Sequence, residues 1–244
     1  MLEIDKYDKI IASNWKLNGS FNFINRYFDE LKLQEIDNLN NLNIFCPPSI
    51  YIEYLTKKYQ NLNLGAQECS NYKEGAYTGE ISANMLQDTS CKFCLVGHSE
   101  RRQIFNQTNK DIKIKINNLI SCGINPIVCI GETLDQKNND LTKKVLLDQI
   151  TNSIPKIASS KTVILAYEPI WAIGTGLTPS LKEIEDTHSF VKNEKKYFEN
   201  YKILYGGSVN SSNASDIMNL DNVDGVLVGG ASLNPLEFKK ILIS

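Results

Sequence analysis

The stretch VILAYEPIWAIGTG, Val163 to Gly176, carries a single carboxylate, Glu168, out of an apolar run and into a proline, a tryptophan and two glycines. The β-branched pair Val163–Ile164 lacks apolar/polar alternation, so the run reads as a strand covered on both faces, with Glu168 at its carboxyl end. Pro169 ends the ladder, and the glycines of IGTG can absorb backbone rotation, which suits a loop that moves. By itself this also describes a strand end followed by a tight turn. Other residues share the pattern. In SNWKLNG, Asn14 and Lys16 fall on one face of an extended segment by its two-residue period. In VGHSERR, His98 stands directly before a helix that begins at Ser99 or Glu100. In YGGSV and VGG, the pairs Gly206–Gly207 and Gly229–Gly230 let backbone N–H groups approach an anion. Singly these residues suit solvated surface, a structural histidine and turns. Together, a cation, an amide, an imidazole, a carboxylate and two glycine pairs suit an anionic, phosphorylated substrate and proton transfer next to a carbonyl.

Convergence requires a scaffold. Short apolar runs (IIASNW, LNIFC, LNLGAQ, FCLVG, NPIVCIG, TVILAYE, KILYGGS and DGVLVGG) alternate with amphipathic segments, among them 21–34, 111–121, 141–151 and 181–200. A strand followed by a helix, repeated, predicts parallel strands with right-handed crossovers. Eight such units in 244 residues predict an α/β fold of the closed (β/α)8 barrel type, whereas a doubly wound sheet usually needs fewer strands. No linker or shift in composition divides the chain, so residues 1–244 read as one barrel domain. In such a barrel the loops after the strands carry the chemistry, and the residues named above all lie there.

Composition narrows the partners. A net charge of −2 gives no electrostatic case for nucleic acid. The amino terminus, MLEIDKYDK, is charged, and no run approaches the ~18 apolar residues of a membrane span, so a cytoplasmic protein is expected, with no membrane partner. The cysteines at 46, 69, 91, 94, 122 and 129 are scattered and read as reduced, small and buried. CKFC (Cys91 to Cys94), followed by His98, imitates half of a metal site or a redox pair. A second ligand pair is lacking, so neither metal nor cofactor is expected.

The segments NWKLNGS, GAYTGEIS, VGHSERR, AYEPIWAIGTG, YGGSVN and VGGASLNP resemble the triosephosphate isomerase family, in order and at matching spacing across essentially the whole chain. The resemblance implies a metal-free isomerase of glycolysis and gluconeogenesis. It would interconvert dihydroxyacetone phosphate and D-glyceraldehyde 3-phosphate through an enediol(ate). It implies Glu168 as the base and His98 as a neutral electrophile, with Lys16 and Asn14 at the substrate oxygens. It further implies that PIWAIGTG closes over the phosphate, with Gly174, Ser208, Gly229 and Gly230 as its ligands. A homodimer is implied through the loop around Tyr77 and Thr78, the Thr reaching the partner's copies of Asn14 and Lys16.

The sequence departs from the commonest family pattern in two places. Leu177 and Pro179 trail the mobile loop where many members carry Lys and Ala, and proline fixes φ near the second hinge, which bears on the rate of closing. Glu68, in GAQECS, replaces a more frequent Asn. Its neighbours Gln67, Cys69 and Ser70 offer no basic partner, so it reads as an uncompensated carboxylate near the subunit interface, and Glu68→Gln is expected to stabilise at neutral pH. Alternative classes are another phosphosugar barrel enzyme, such as an epimerase or a Schiff-base aldolase in which Lys16 would have to serve, and a nicotinamide oxidoreductase, for which GTG lacks the full G-x-G-x-x-G. A barrel that only binds is disfavoured by the intact Asn14, Lys16, His98 and Glu168.

Overall fold

The computed structural model describes residues 1–36, 40–173, 177–194 and 200–244. Its strands are β1 (Ile10–Asn14), β2 (Leu42–Cys46), β3 (Asn63–Ala66), β4 (Phe93–Val96), β5 (Asn125–Ile130), β6 (Ile164–Tyr167), β7 (Lys202–Tyr205) and β8 (Gly225–Val228). All pair in parallel in sequence order, and β8 returns to β1 with Ile10 opposite Gly225, closing the barrel. Each of the eight apolar runs in the sequence contains one of these strands.

Alternation along each strand divides the core into two layers. Ile10, Ala12, Ile44, Phe93, Leu95, Ile127, Cys129, Ile164, Ala166, Leu204 and Leu227 pack together inside the barrel. The intervening residues, such as Ile11, Val96, Val128, Leu165 and Val226, pack outward among the helices. Both faces are therefore buried, which is why the strands show no polar alternation in sequence. Amphipathic helices cover the outer layer, and their starts are fixed by side chains. Ser20 accepts the Phe23 N–H at the start of helix Phe21–Leu31. Thr108 with Asp111, and Ser180 with Glu183, form capping boxes for helices Asn109–Ser121 and Leu181–Asn193. Each such cap contributes ~1 kcal/mol.

Differences from the sequence reading lie at helix ends and in short helices. The amphipathic segment 21–34 stops at Leu31 because Lys32 turns to φ 53°. Segment 181–200 is helical over Leu181–Asn193, and 195–199 lie outside the described residues. Helices such as Ile52–Lys58, Leu134–Asn138 and Ala214–Met218 have two turns or fewer, too short for a 3.6-residue period to show.

Candidate active site

The inward series of residues runs past the strand ends into the mouth of the barrel. Along β6, Ile164 and Ala166 point inside, and Glu168 follows in the same register. Its N–H donates to the Ile130 carbonyl at 2.7 Å, which ties the backbone to β5, and its side chain is only 3% exposed. Gly206, at the end of β7, makes room for it, since a Cβ there would lie 2.9 Å from Glu168 Cγ.

His98 reaches the same place by breaking the alternation. Phe93 and Leu95 face inward, so strict alternation would turn position 98 outward with Val96. Gly97 adopts φ +71°, a conformation natural to glycine, and the next side chain swings into the mouth. There His98 Nδ1 accepts the Glu100 N–H at 3.2 Å. An accepting Nδ1 carries no proton, so the ring is the neutral tautomer with its proton on Nε2. Nε2 lies 3.3 Å from Glu168 Oε1, and the Ser99 N–H donates to Glu168 Oε2 at 3.2 Å.

Asn14 and Lys16 meet in the same cavity, for a reason other than the two-residue period. The strand ends at Asn14, and Lys16 adopts φ 52°. The Asn14 Oδ1 accepts the Lys16 N–H at 3.0 Å, and Gln67 donates to the Lys16 carbonyl at 2.9 Å, holding this unusual backbone. The Lys16 ammonium donates to Glu100 Oε1 at 2.7 Å. Burial pushes the Glu100 carboxyl up, but the hydrogen bond and the positive charge of Lys16 outweigh it and hold it below its ordinary value. The turn from Gly230 to Leu233 begins beside this ammonium, and a Cβ on Gly229 would lie 3.6 Å from Lys16 Cε. Ser208 lines the same cavity of about 270 Å³, its hydroxyl donating to the Ala172 carbonyl at 2.7 Å. The structure thus gathers Asn14, Lys16, His98, Glu168, Ser208, Gly229 and Gly230 around one cavity. Gly174 lies outside the described residues.

Sequence reasoning missed three polar residues that support these groups. Glu100 was visible only as a helix start, yet it anchors both Lys16 and the His98 tautomer. Gln67 and Glu132 follow β3 and β5, and the rule that strand ends carry function would have found both. Glu132 stands in the outward register. It is buried, accepting from Trp171 Nε1 at 2.8 Å and from the Tyr167 hydroxyl at 3.1 Å. Burial raises its carboxyl above the usual range despite those hydrogen bonds.

Glu68 corrects an expectation. It is neither isolated nor uncompensated: Arg101 Nε reaches its Oε2 at 2.9 Å, Lys115 reaches its Oε1 at 2.7 Å, and Gln107 also donates to it. These partners lie 33 to 47 positions away, where inspection of its neighbours in sequence could not find them. Tyr77 and Thr78 are exposed, and Tyr77 stacks on Tyr72 with centroids 3.5 Å apart. Leu177 is exposed and Pro179 is buried. Within CKFC, burial pushes the Cys91 thiol up to about 12 and raises Cys94 as well, which disfavours the thiolates that metal binding or redox exchange requires. Among the described residues, no group of three or more His, Cys, Asp or Glu side chains is placed to hold a metal ion.

Residues 9–244 match the family model for triosephosphate isomerase. A triosephosphate isomerase of Francisella tularensis subsp. mediasiatica is 40% identical over 242 residues, covering 96% of each chain. That of Mesomycoplasma hyorhinis is 40% identical over 238 residues, covering 96% of this chain and 97% of its own. The crystal structure of triosephosphate isomerase from Bartonella henselae superposes with a TM-score of 0.86 at 29% identity, over 96% of this chain and 97% of the other.

Proposed function

The chain belongs to the triosephosphate isomerase family, and on that premise we propose how its residues carry out the reaction. It is an isomerase that interconverts dihydroxyacetone phosphate and D-glyceraldehyde 3-phosphate, a step of glycolysis. Glu168 takes the proton from the carbon next to the carbonyl, leaving an enediolate. His98 donates its Nε2–H to the oxygen on which charge develops, and Glu168 returns its proton to the neighbouring carbon. Lys16 and Asn14 act where negative charge accumulates. Ser208, Gly229 and Gly230, with Gly174, hold the phosphate.

The observation that carries this assignment is the 3.3 Å approach of Glu168 Oε1 to His98 Nε2 in the cavity that also holds the Lys16 ammonium. The pair must separate for the reaction, because the imidazole is needed on an oxygen and the carboxylate on a carbon. Ser208 must likewise exchange the Ala172 carbonyl for phosphate. Binding therefore moves the chain after β6, and closing that loop excludes water from a carboxylate too weak a base for a carbon acid in bulk solvent. A coupled assay for dihydroxyacetone phosphate formed from glyceraldehyde 3-phosphate, without metal or nucleotide, tests the activity. Folded protein that gives no turnover overturns it.

The protein is further read as one barrel domain over 1–244 and as a cytoplasmic homodimer. No helix among the described residues is long and apolar enough to cross a membrane. Support for the dimer comes from the exposed Tyr72–Tyr77 stack, with Ile81 and Met85 exposed nearby in sequence. Such apolar surface on a loop favours a partner. Sedimentation that finds a fully active monomer at assay concentration would refute the dimer.

A further inference from the structure

We infer that Lys137 is a positioning residue that couples the two flanks of the loop after β6 and resists its rearrangement. Lys137 lies in helix Leu134–Asn138, after β5 and outside the catalytic mouth. Its ammonium stands 3.5 Å from the centroid of the Trp171 indole and 2.8 Å from Glu183 Oε1. Trp171 belongs to the turn Ile170–Ala172, at the start of the loop, where Ala172 receives the Ser208 hydroxyl. Glu183 belongs to the first turn after the loop, and its Oε2 accepts both the N–H and the hydroxyl of Ser180. One cation thus holds the aromatic face at one flank and the helix cap at the other.

The indole is fixed on two sides, by Lys137 over its face and by Glu132 at its N–H. A cavity of about 560 Å³ beside it, lined by Glu132, Lys137, Tyr167, Trp171, Pro179 and Glu183, leaves room for the ring to move. The Lys137 hydrogen bond and those of Ser180 hold the Glu183 carboxyl at about 2, so both charges persist at neutral pH. When substrate draws Ser208 away from Ala172, the turn carrying Trp171 must shift, and the Lys137 contacts oppose that shift. This inference rests on the isomerase reading and concerns the ease of rearrangement, not the chemistry.

The test combines kinetics with 19F NMR of protein carrying 5-fluorotryptophan. The chain has two tryptophans, and Trp15, buried in an aromatic cluster, serves as the internal reference. Lys137→Met should move the Trp171 resonance and leave that of Trp15 in place. Easier rearrangement stabilises the substrate complex and slows its reversal, so KM and kcat should each fall ~2–5-fold, the range expected of an exposed cation–π contact with an ion pair. Lys137→Arg should restore both constants. Glu183→Gln, which keeps an acceptor for Ser180, should act in the same direction but more weakly. Unchanged or raised KM in an active Lys137→Met enzyme, or a Trp171 resonance that does not move, would overturn the inference. A lower melting temperature with unaltered constants would assign Lys137 a purely structural role and overturn it too. If the parent enzyme lacked turnover, the isomerase reading would fail, while the substrate-free resonance would still decide whether Lys137 grips Trp171.

Discussion

Glu168 and Glu132 follow neighbouring strands of one barrel, and both are buried, yet their positions differ by one step of the strand alternation. Glu168 continues the inward series and meets His98, Ser99 and the cavity that Lys16 lines. Glu132 continues the outward series of β5, past Val128 and Ile130, and meets Tyr167 and Trp171 behind the barrel wall. Each is attended by a lysine, Lys16 at the mouth and Lys137 behind it. Register therefore places one carboxylate in the cavity, where the proposed mechanism uses it as the base, and the other behind the wall, where it holds the indole of Trp171.

The comparison breaks most directly at Glu168. On the proposed mechanism, replacing it with Gln removes the base and should lower kcat by ~10³–10⁴-fold, near the upper range for general acid–base groups. Glu168→Asp, which keeps the charge but withdraws it by roughly 1 Å, should cost at least ~100-fold in kcat with little change in KM. A near-normal kcat for either variant would show that the inward carboxylate is not the base. Next is Lys16→Met, expected to lower kcat/KM by ~100-fold or more through both constants, because the proposed mechanism has the ammonium serve bound phosphate and developing charge alike. An unchanged KM would contradict that double role.

Glu68 sharpens the contrast from a third strand end, as a carboxylate held by charge partners. With Lys115 buried against it, Glu68→Gln should destabilise the fold by ~1–3 kcal/mol, seen as a lower melting temperature at pH 7. This is opposite in sign to the sequence expectation, and a higher melting temperature would reinstate that expectation.

The smallest effect is expected at Glu132. Its carboxyl is raised in the folded protein, so the folded form holds the proton longer than the unfolded chain, whose value is roughly 4.3. The destabilisation is absent below the unfolded pKa, grows as pH rises through the folded one and persists above it. Glu132→Gln should then raise the melting temperature slightly at pH 8, with a much smaller gain near pH 4, because the amide keeps an acceptor for Trp171 and Tyr167 and leaves no charge to bury. Equal gains at both pH values would show that ionisation of Glu132 is not what burial penalises.

Several of these features were legible in the chain itself. The eight apolar runs, their alternation with amphipathic segments and the polar residues at their ends specify a β/α repeat and the rim where chemistry gathers. These are local properties, since a strand with both faces buried must be apolar throughout and a surface helix must carry a stripe. The motifs around Asn14, Lys16, His98 and Glu168 named side chains that the structure gathers around one cavity, for the same reason: each group is presented by the few residues beside it. Tertiary structure alone decided what these groups touch. The Gly97 turn brings His98 inward, Glu100 joins Lys16 across 84 positions, and Arg101 and Lys115 neutralise a carboxylate that looked unpartnered among its neighbours. Charge compensation depends on distance through space, and closing the barrel places side chains far apart in sequence within 3 Å of one another.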